Sequence, residues 1–360
     1  LARFLAGAEG TNCRQTNPLL LEPLARRRQR LAAMKLFAVA IWLLGSSLLP
    51  LSAAGTTPPT IDLYGRQFLD LSVWAKANSL RLDWDRRSRD ARATNRAMRL
   101  SFTINSREME YNGVHVWLSV PVTPSNGRIL ISSLDAKTTL QPLLQPVHNR
   151  RGKKVRVIAL DPGHGGRQPG NEDGAHQEKV YTLLLATKVR SLLQAAGFRV
   201  VMTRTRDEFV DLPDRPALAK RKHADLFISL HFNSAGNGEP DPKGVEVYCL
   251  TPPGASSTNA RGEDNGSTNA QVGNLNNARN VLLAYQLQKA LVQNLSAKDR
   301  GVRRARFAVL KTAEMPAVLI EGGFMSAPTE ARQIYDATHR TEMARAIVDG
   351  VLAYKRLVER

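Results

Sequence analysis

Two histidines and two glutamates, His164, Glu178, His231 and Glu321, have the types and surroundings of a reaction centre. His164 ends the run Val-Arg-Val-Ile-Ala-Leu-Asp-Pro-Gly-His, in which β-branched and alternating apolar residues stop at Asp161-Pro162-Gly163. That pattern reads as a buried strand closed by a tight turn. Gly163, Gly165 and Gly166 clear side chains from around the imidazole, so the backbone turns sharply and a ligand or ion approaches closely. His231 follows the apolar run Leu226 to Leu230, and Glu321 follows Ala317 to Ile320. Two imidazoles and one carboxylate make an open tetrahedral zinc site with its fourth position left for water. A second carboxylate nearby takes that water's proton and returns it to a leaving amine. The composition predicts hydrolysis of an amide or ester.

Taken singly, these residues have ordinary explanations. His164 fits a surface turn, His231 a satisfied core histidine, and Glu178 a first-turn acid favoured by the helix dipole. Glu321, set between Leu319-Ile320 and Gly322-Gly323-Phe324, has few such explanations. His176 competes with Glu178 as a ligand, but the helix start and the following Lys179 favour Glu178. There is no His-Glu-x-x-His, so a thermolysin-like protease is not supported.

The elements that must position these groups follow one another as strand and helix. A strand ends at Pro162, and a helix from Glu178 carries apolar Tyr181, Leu185, Val189 and Leu192 at helical spacing and closes at Gly197. Strands are expected over 198–202, 225–230, 244–250, 307–310 and 317–320, and helices over 213–222, 277–295 and 341–358. The result is an α/β domain over 155–358, with a mainly parallel sheet and helices on both faces. His164, His231 and Glu321 then sit past the carboxyl ends of strands, the rim where such sheets bind ligands, and the helix start at Glu178 faces the same rim.

Upstream, residues 60–146 alternate in short apolar groups, with turn signals at Asn112-Gly113 and Asn126-Gly127. They predict a small β-rich accessory domain with a helix near 71–78 and no cluster of metal ligands. Residues 1–54 read as an upstream segment and signal peptide. Met34-Lys35 opens an apolar run that ends in Ser52-Ala53-Ala54. Translation is expected to start at Met34, the rival being a twin-arginine signal at Arg27-Arg28. Export to the periplasm, cell envelope or exterior follows, with no stable membrane anchor after cleavage. Of the two cysteines only Cys249 would remain, so no internal disulfide is expected. The formal charge of +19 over 360 residues points to an anionic partner. No nucleic-acid motif or aromatic interleaving accompanies it, so nucleic acid is not expected and a cell-wall polymer fits.

Residues 155–358 resemble the zinc-dependent N-acetylmuramoyl-L-alanine amidases of the amidase-3 type. The resemblance rests on Leu160 to Gly166, Glu178-Lys179, Thr203 to Asp207, Ala224 to Asn233 and Met315 to Phe324. It implies zinc held by His164, Glu178 and His231, with Glu321 as general base and acid, and Asn233 as a supporting or substrate contact. It also implies a peptidoglycan substrate, cut between N-acetylmuramic acid and L-alanine in wall remodelling or daughter-cell separation. Division members of the family carry an inserted helix that plugs the site until a protein activator moves it. Here the insertion, 252–276, is too polar and glycine-rich for such a helix and reads as a solvated loop or a flexible lid. Residues 60–146 resemble the copper-amine-oxidase-like N-terminal domain, through Ala75 to Trp84, Ser101 to Asn105, Tyr111-Asn112-Gly113 and Leu140 to Leu144, as a spacer or a wall- or partner-binding module. Two other readings of the whole remain: a non-catalytic wall-binding protein, and a zinc hydrolase of another amide.

Overall fold

The computed structural model describes residues 59–360 except 64, 86, 151, 235–241 and 260–267. The expected signal peptide, the start at Met34, Cys13 and nearly all of the Thr/Pro linker lie outside the described residues.

A helix, Leu71–Ala77 (α1), separates the pair Thr60–Leu63 (β1) and Arg66–Asp70 (β2) from an antiparallel meander. The Asp70 carboxylate accepts from Ser72 N at 2.8 Å and so starts α1. The meander comprises Arg81–Asp83 (β3), Asp90–Thr94 (β4), Arg99–Thr103 (β5), Glu108–Tyr111 (β6) and Val114–Trp117 (β7). Thr123–Ser125 (β8) and Arg128–Ser132 (β9) return to complete a four-stranded sheet in the order β1-β2-β9-β8. Both Asn-Gly signals become hairpin turns, with φ of 48° and 78° at Asn112 and Gly113 and 48° and 74° at Asn126 and Gly127.

The second segment opens on Val157–Pro162 (β10), buried along its whole length. The paired two-residue strands Glu172–Asp173 (β11) and His176–Gln177 (β12) lead into the long helix Glu178–Ala195 (α2). There follow Arg199–Met202 (β13), Asp214–Arg221 (α3), Leu226–Asn233 (β14) and Val245–Leu250 (β15). Asn277–Leu295 (α4), Asp299–Ala305 (β16), Ala317–Phe324 (β17), Pro328–Tyr335 (α5) and Ala337–Val358 (α6) complete the chain. β13, β10, β14 and β17 are parallel neighbours; β15 runs antiparallel to β17, and β16 lies parallel to β15. Along these strands apolar side chains alternate between two faces. Ile158, Leu160, Ile228 and Val318 join the core that contains α2, α4 and α6, whereas Ala159, Phe227 and Leu319 meet α3 on the other face. Long helices thus cover one face and short elements the other.

One expectation changes. The strand expected at 307–310 is a helical turn, Ala308–Lys311, and the true strand is β16, Asp-Arg-Gly-Val-Arg-Arg-Ala. Its arginines conceal it in the sequence, because the buried carboxylate and the carbonyls that meet them are supplied by the fold. The antiparallel course of β15 sets Glu246 opposite Glu321 and Tyr248 opposite Leu319, so the chain leaves β15 at the end of the sheet away from those glutamates. Thr258 N donates to Arg304 O at 2.8 Å and Asn274 Nδ2 to Thr251 O at 3.0 Å, which holds both described flanks of the 252–276 insertion at that far end. Residues 260–267 between them lie outside the described residues.

β16 also pairs in parallel with β7 through Val302 and Val116, so one sheet of eleven strands runs β13-β10-β14-β17-β15-β16-β7-β6-β5-β4-β3. One apolar core likewise extends from Leu71 and Trp74 to Tyr354 and Val358, and the described residues belong to one compact unit, Pro58–Arg360. The Tyr285 hydroxyl of α4 donates to Tyr111 O at 3.0 Å across the join. Cys249 is buried and free, and among the described residues no helix is long and apolar enough to cross a membrane. A chain beginning at Val155 exposes the β16 edge and the face of this core that the N-terminal segment covers. Its thermal midpoint is expected at least about 5 °C below that of the whole unit; equal midpoints by calorimetry would show that the segments are energetically independent.

Candidate active site

Gly163 N still donates to Leu230 O at 3.0 Å, but the carbonyls of the turn need other donors. Two arginines, each only 1% exposed, supply them. Arg204 donates to Pro162 O at 3.0 Å and to Gly163 O at 2.8 Å, and Arg215 donates to Pro162 O at 3.1 Å and to His164 O at 3.0 Å. Arg215 is neutralised by the buried Asp161 at 2.9 Å, whose carboxylate also accepts from Thr203 and Ser229 at 2.6 and 2.8 Å. Lys179 and Asp207 close the far side of the turn, through Lys179 Nζ to Gly166 O at 2.8 Å and Gly166 N to Asp207 Oδ1 at 2.7 Å. These contacts hold His164 in the left-handed region at φ 61°, where a non-glycine residue costs roughly 1 kcal/mol.

Glu178, 2% exposed at the start of α2, is the centre of the cluster. Its Oε2 lies 3.1 Å from His164 Nε2 and its Oε1 3.1 Å from His231 Nδ1. It also accepts from Asn171 N at 2.9 Å, Asn171 Nδ2 at 3.1 Å and Phe232 N at 3.0 Å. Burial alone would push its carboxyl up, but the hydrogen bonds and charge of the two imidazoles outweigh this and hold it well below the usual carboxylate range. Burial pushes His231 down, and hydrogen bonding and attraction to Glu178 reverse that to a net rise. The two imidazole rings meet edge to face with centroids 4.9 Å apart. Backbone approach makes room for them: a Cβ on Gly163 would fall 2.3 Å from His231 Cε1, and one on Gly170 2.7 Å from His164 Cδ2.

Glu321 is the register partner of His231, inside β17 and not beyond it. Its Oε2 is shielded from solvent without a hydrogen-bond partner. Burial, opposed by His231 and assisted by Glu178 and Glu246, leaves its carboxyl pushed up to about 8. His176 is placed elsewhere: exposed on β12, it stacks on Tyr335 with ring centroids 3.9 Å apart and bonds the Tyr181 hydroxyl. Asn233 is held by Glu246, to which its Nδ2 donates at 2.7 Å.

One donor atom each from His164, Glu178 and His231 lies within 4.8 Å of the others, and among the described residues no other group of this kind occurs. Zinc ligands about 2.0–2.2 Å from the ion stand roughly 3–3.5 Å apart, and each imidazole has one Glu178 oxygen at that spacing, Oε2 for His164 and Oε1 for His231. The donor set fits zinc, and the unpartnered Glu321 oxygen awaits a proton or a polar ligand. Sequence reasoning assigned no roles to Arg204, Arg215, Asn171 and Glu246. Arg204 stood within a family motif, and the remaining three carried no local signal.

A sheet that gathers two imidazoles and a buried carboxylate at one rim, with a second carboxylate beside them, presents the donor set that metal-dependent hydrolases use. The chain belongs to the N-acetylmuramoyl-L-alanine amidase family, whose pattern matches residues 158–353. Residues 52–140 match the copper amine oxidase N-terminal domain. The chain is 33% identical over 251 residues to the N-acetylmuramoyl-L-alanine amidase AmiC of Neisseria meningitidis, covering 64% of this chain and 60% of that protein. It is 34% identical over 200 residues to LytC of Bacillus subtilis, an amidase of the same name, covering 56% and 36%. The match thus spans less than two thirds of either relative. Among solved structures, the amidase AmiC2 of Nostoc punctiforme aligns at 31% identity with a TM-score of 0.47, over 57% of this chain and 99% of that one.

Gly163→Ala is expected to displace the His231 ring and weaken zinc binding at least about tenfold while the thermal midpoint stays within a few degrees. A competitive chelator titration measures this, and unaltered affinity would mean the close approach is dispensable.

Proposed function

We propose that this chain is an exported zinc-dependent amidase that cleaves peptidoglycan between the lactyl group of N-acetylmuramic acid and L-alanine. The observation that carries the reading is the buried, unpartnered Glu321 oxygen next to the His164–Glu178–His231 set. Membership of the amidase family supports the substrate, and the formal charge of +19 suits an anionic wall. The apolar run after Met34 supports export.

In this reading His164, Glu178 and His231 hold the ion, with the Glu178 carboxylate fixed by Asn171 and Phe232 N. When bound, zinc supplies Lewis acidity at the scissile carbonyl and makes the attacking water easier to deprotonate. Glu321 takes that proton and delivers it to the departing alanine nitrogen. Burial raises that carboxyl from the ordinary glutamate range towards neutral pH, where one group can both take and return a proton. Arg204 and Arg215 keep the turn carbonyls occupied, so His164 presents its ring without competition from its own backbone.

Metal analysis of the purified chain is expected to give about one zinc per molecule. Activity on purified peptidoglycan should vanish on chelation and return with zinc, releasing stem peptides with a free N-terminal alanine; intact stems would sink the substrate assignment. Glu321→Ala should keep zinc yet lose at least about 100-fold in rate, and His164→Ala should lose both. Loss of metal in the Glu321 variant would reverse the division of roles.

A further inference from the structure

His231, Glu321 and Glu246 stand level on β14, β17 and β15, and strand register places them on one face of the sheet. Side-chain contacts lead on from this row to β16 and β7. Glu246, 2% exposed, accepts at Oε1 from Asn233 Nδ2 and the Tyr248 hydroxyl, each at 2.7 Å. Its Oε2 meets Arg303 Nε at 2.8 Å and Arg300 Nε at 3.2 Å. Arg303 lies over the Trp117 ring, 4.6 Å from the centroid, and Trp117 Nε1 donates to Arg300 O at 2.9 Å. Arg300 in turn lies over Phe324, three residues beyond Glu321 on the same strand, at 4.7 Å. A buried carboxylate is costly unless its oxygens are paired, and here four side-chain donors fix it in one place.

The geometry points to Glu246 as a positioning residue for Glu321, with Trp117 of the N-terminal segment as the outer brace of the same support. This inference rests on the assignment of Glu321 as the proton-transfer group. Glu246 touches no reacting atom. It forms a rigid anionic wall that confines the Glu321 carboxyl to the side of the row occupied by His231, and the two arginines hold that wall in place. The N-terminal segment is therefore part of the catalytic apparatus through Trp117, not a spacer.

The test compares variants of the full chain on a soluble N-acetylmuramoyl peptide, reading kcat, KM, zinc content and thermal midpoint. Glu246→Gln preserves the shape and removes the charge. It is expected to lower kcat about tenfold or more, leaving KM within about twofold and zinc per chain unaltered. Trp117→Leu is expected to lower kcat in the same manner, and Trp117→Phe, which keeps a ring under Arg303, to restore most of it. If Glu246→Gln does not fold, Arg303→Lys replaces it, with the same split expected between kcat and KM. A kcat within about twofold of the parent in Glu246→Gln or its replacement overturns the proposal, as does zinc loss that accounts for the fall. Glu321→Gln separates the two readings. If it is inactive while Glu246→Gln is fully active, only the positioning role fails; if it keeps parental kcat, the assignment of Glu321 itself is wrong.

Discussion

One buried carboxylate sets the terms for the rest of the structure. Glu178 is sealed from water, and an ionised carboxylate in that position is stable only if its lone pairs are occupied from several directions. The fold meets this demand from three separate places: the turn after β10 brings His164, the approach to α2 brings Asn171, and β14 brings His231 and the amide of Phe232. Each contributor is then constrained in its own right. Glycine at 163 lets an imidazole lie against the backbone, and the buried Asp161–Arg215 pair ties β10 to the turn. Removing one member of such a pair leaves a buried charge uncompensated, at a cost of about 3–5 kcal/mol. The polar groups beneath the site therefore belong to its construction as much as the ligand set does.

The cluster was legible in the sequence because three of its four side chains follow an apolar run and the fourth starts a helix. His164, His231 and Glu321 could be placed on one rim from strand pattern alone, and the helix start fixed Glu178 near them. What pattern could not convey is any role defined by a partner distant in sequence. Arg215 reads as an ordinary residue of a polar helix, yet its guanidinium serves carbonyls more than fifty positions upstream. Asn171 sits in a glycine- and charge-rich loop and acquires meaning only beside Glu178. β16 was missed for the same reason: three arginines in seven residues look solvated until Glu246 and the carbonyls of Leu250 and Thr138 are brought to them.

Strand direction was equally hidden. A parallel β15 would have sent its carboxyl end, and the insertion that follows, to the catalytic rim. Because it is antiparallel to β17, the described flanks of 252–276 lie at the other end of the sheet, and the beginning of β15 comes to the rim instead. The same reversal puts Glu246 beside Glu321. The topological step that carries the described flanks of the insertion away from the rim thus supplies an unexpected neighbour to Glu321, and hydrophobic periodicity, which is the same in both directions, cannot distinguish the two courses.

The reversal also leaves β16 as the last strand of the catalytic segment, and a bare edge of that kind invites uncontrolled pairing. β7 covers it, which extends the sheet into the N-terminal segment and merges the apolar cores. Pairing at Val302 and Val116 would suffice to blunt the edge. The additional contacts, Trp117 to the backbone and guanidinium of β16 and Tyr285 to the backbone of β6, go further, because they join the covering strand to the elements that carry Glu246 and the central core. A module attached only as a spacer would need none of them. Edge protection and active-site support are met by the same strand, so the N-terminal segment is bound to the catalytic one by the physics of the sheet as well as by the chain.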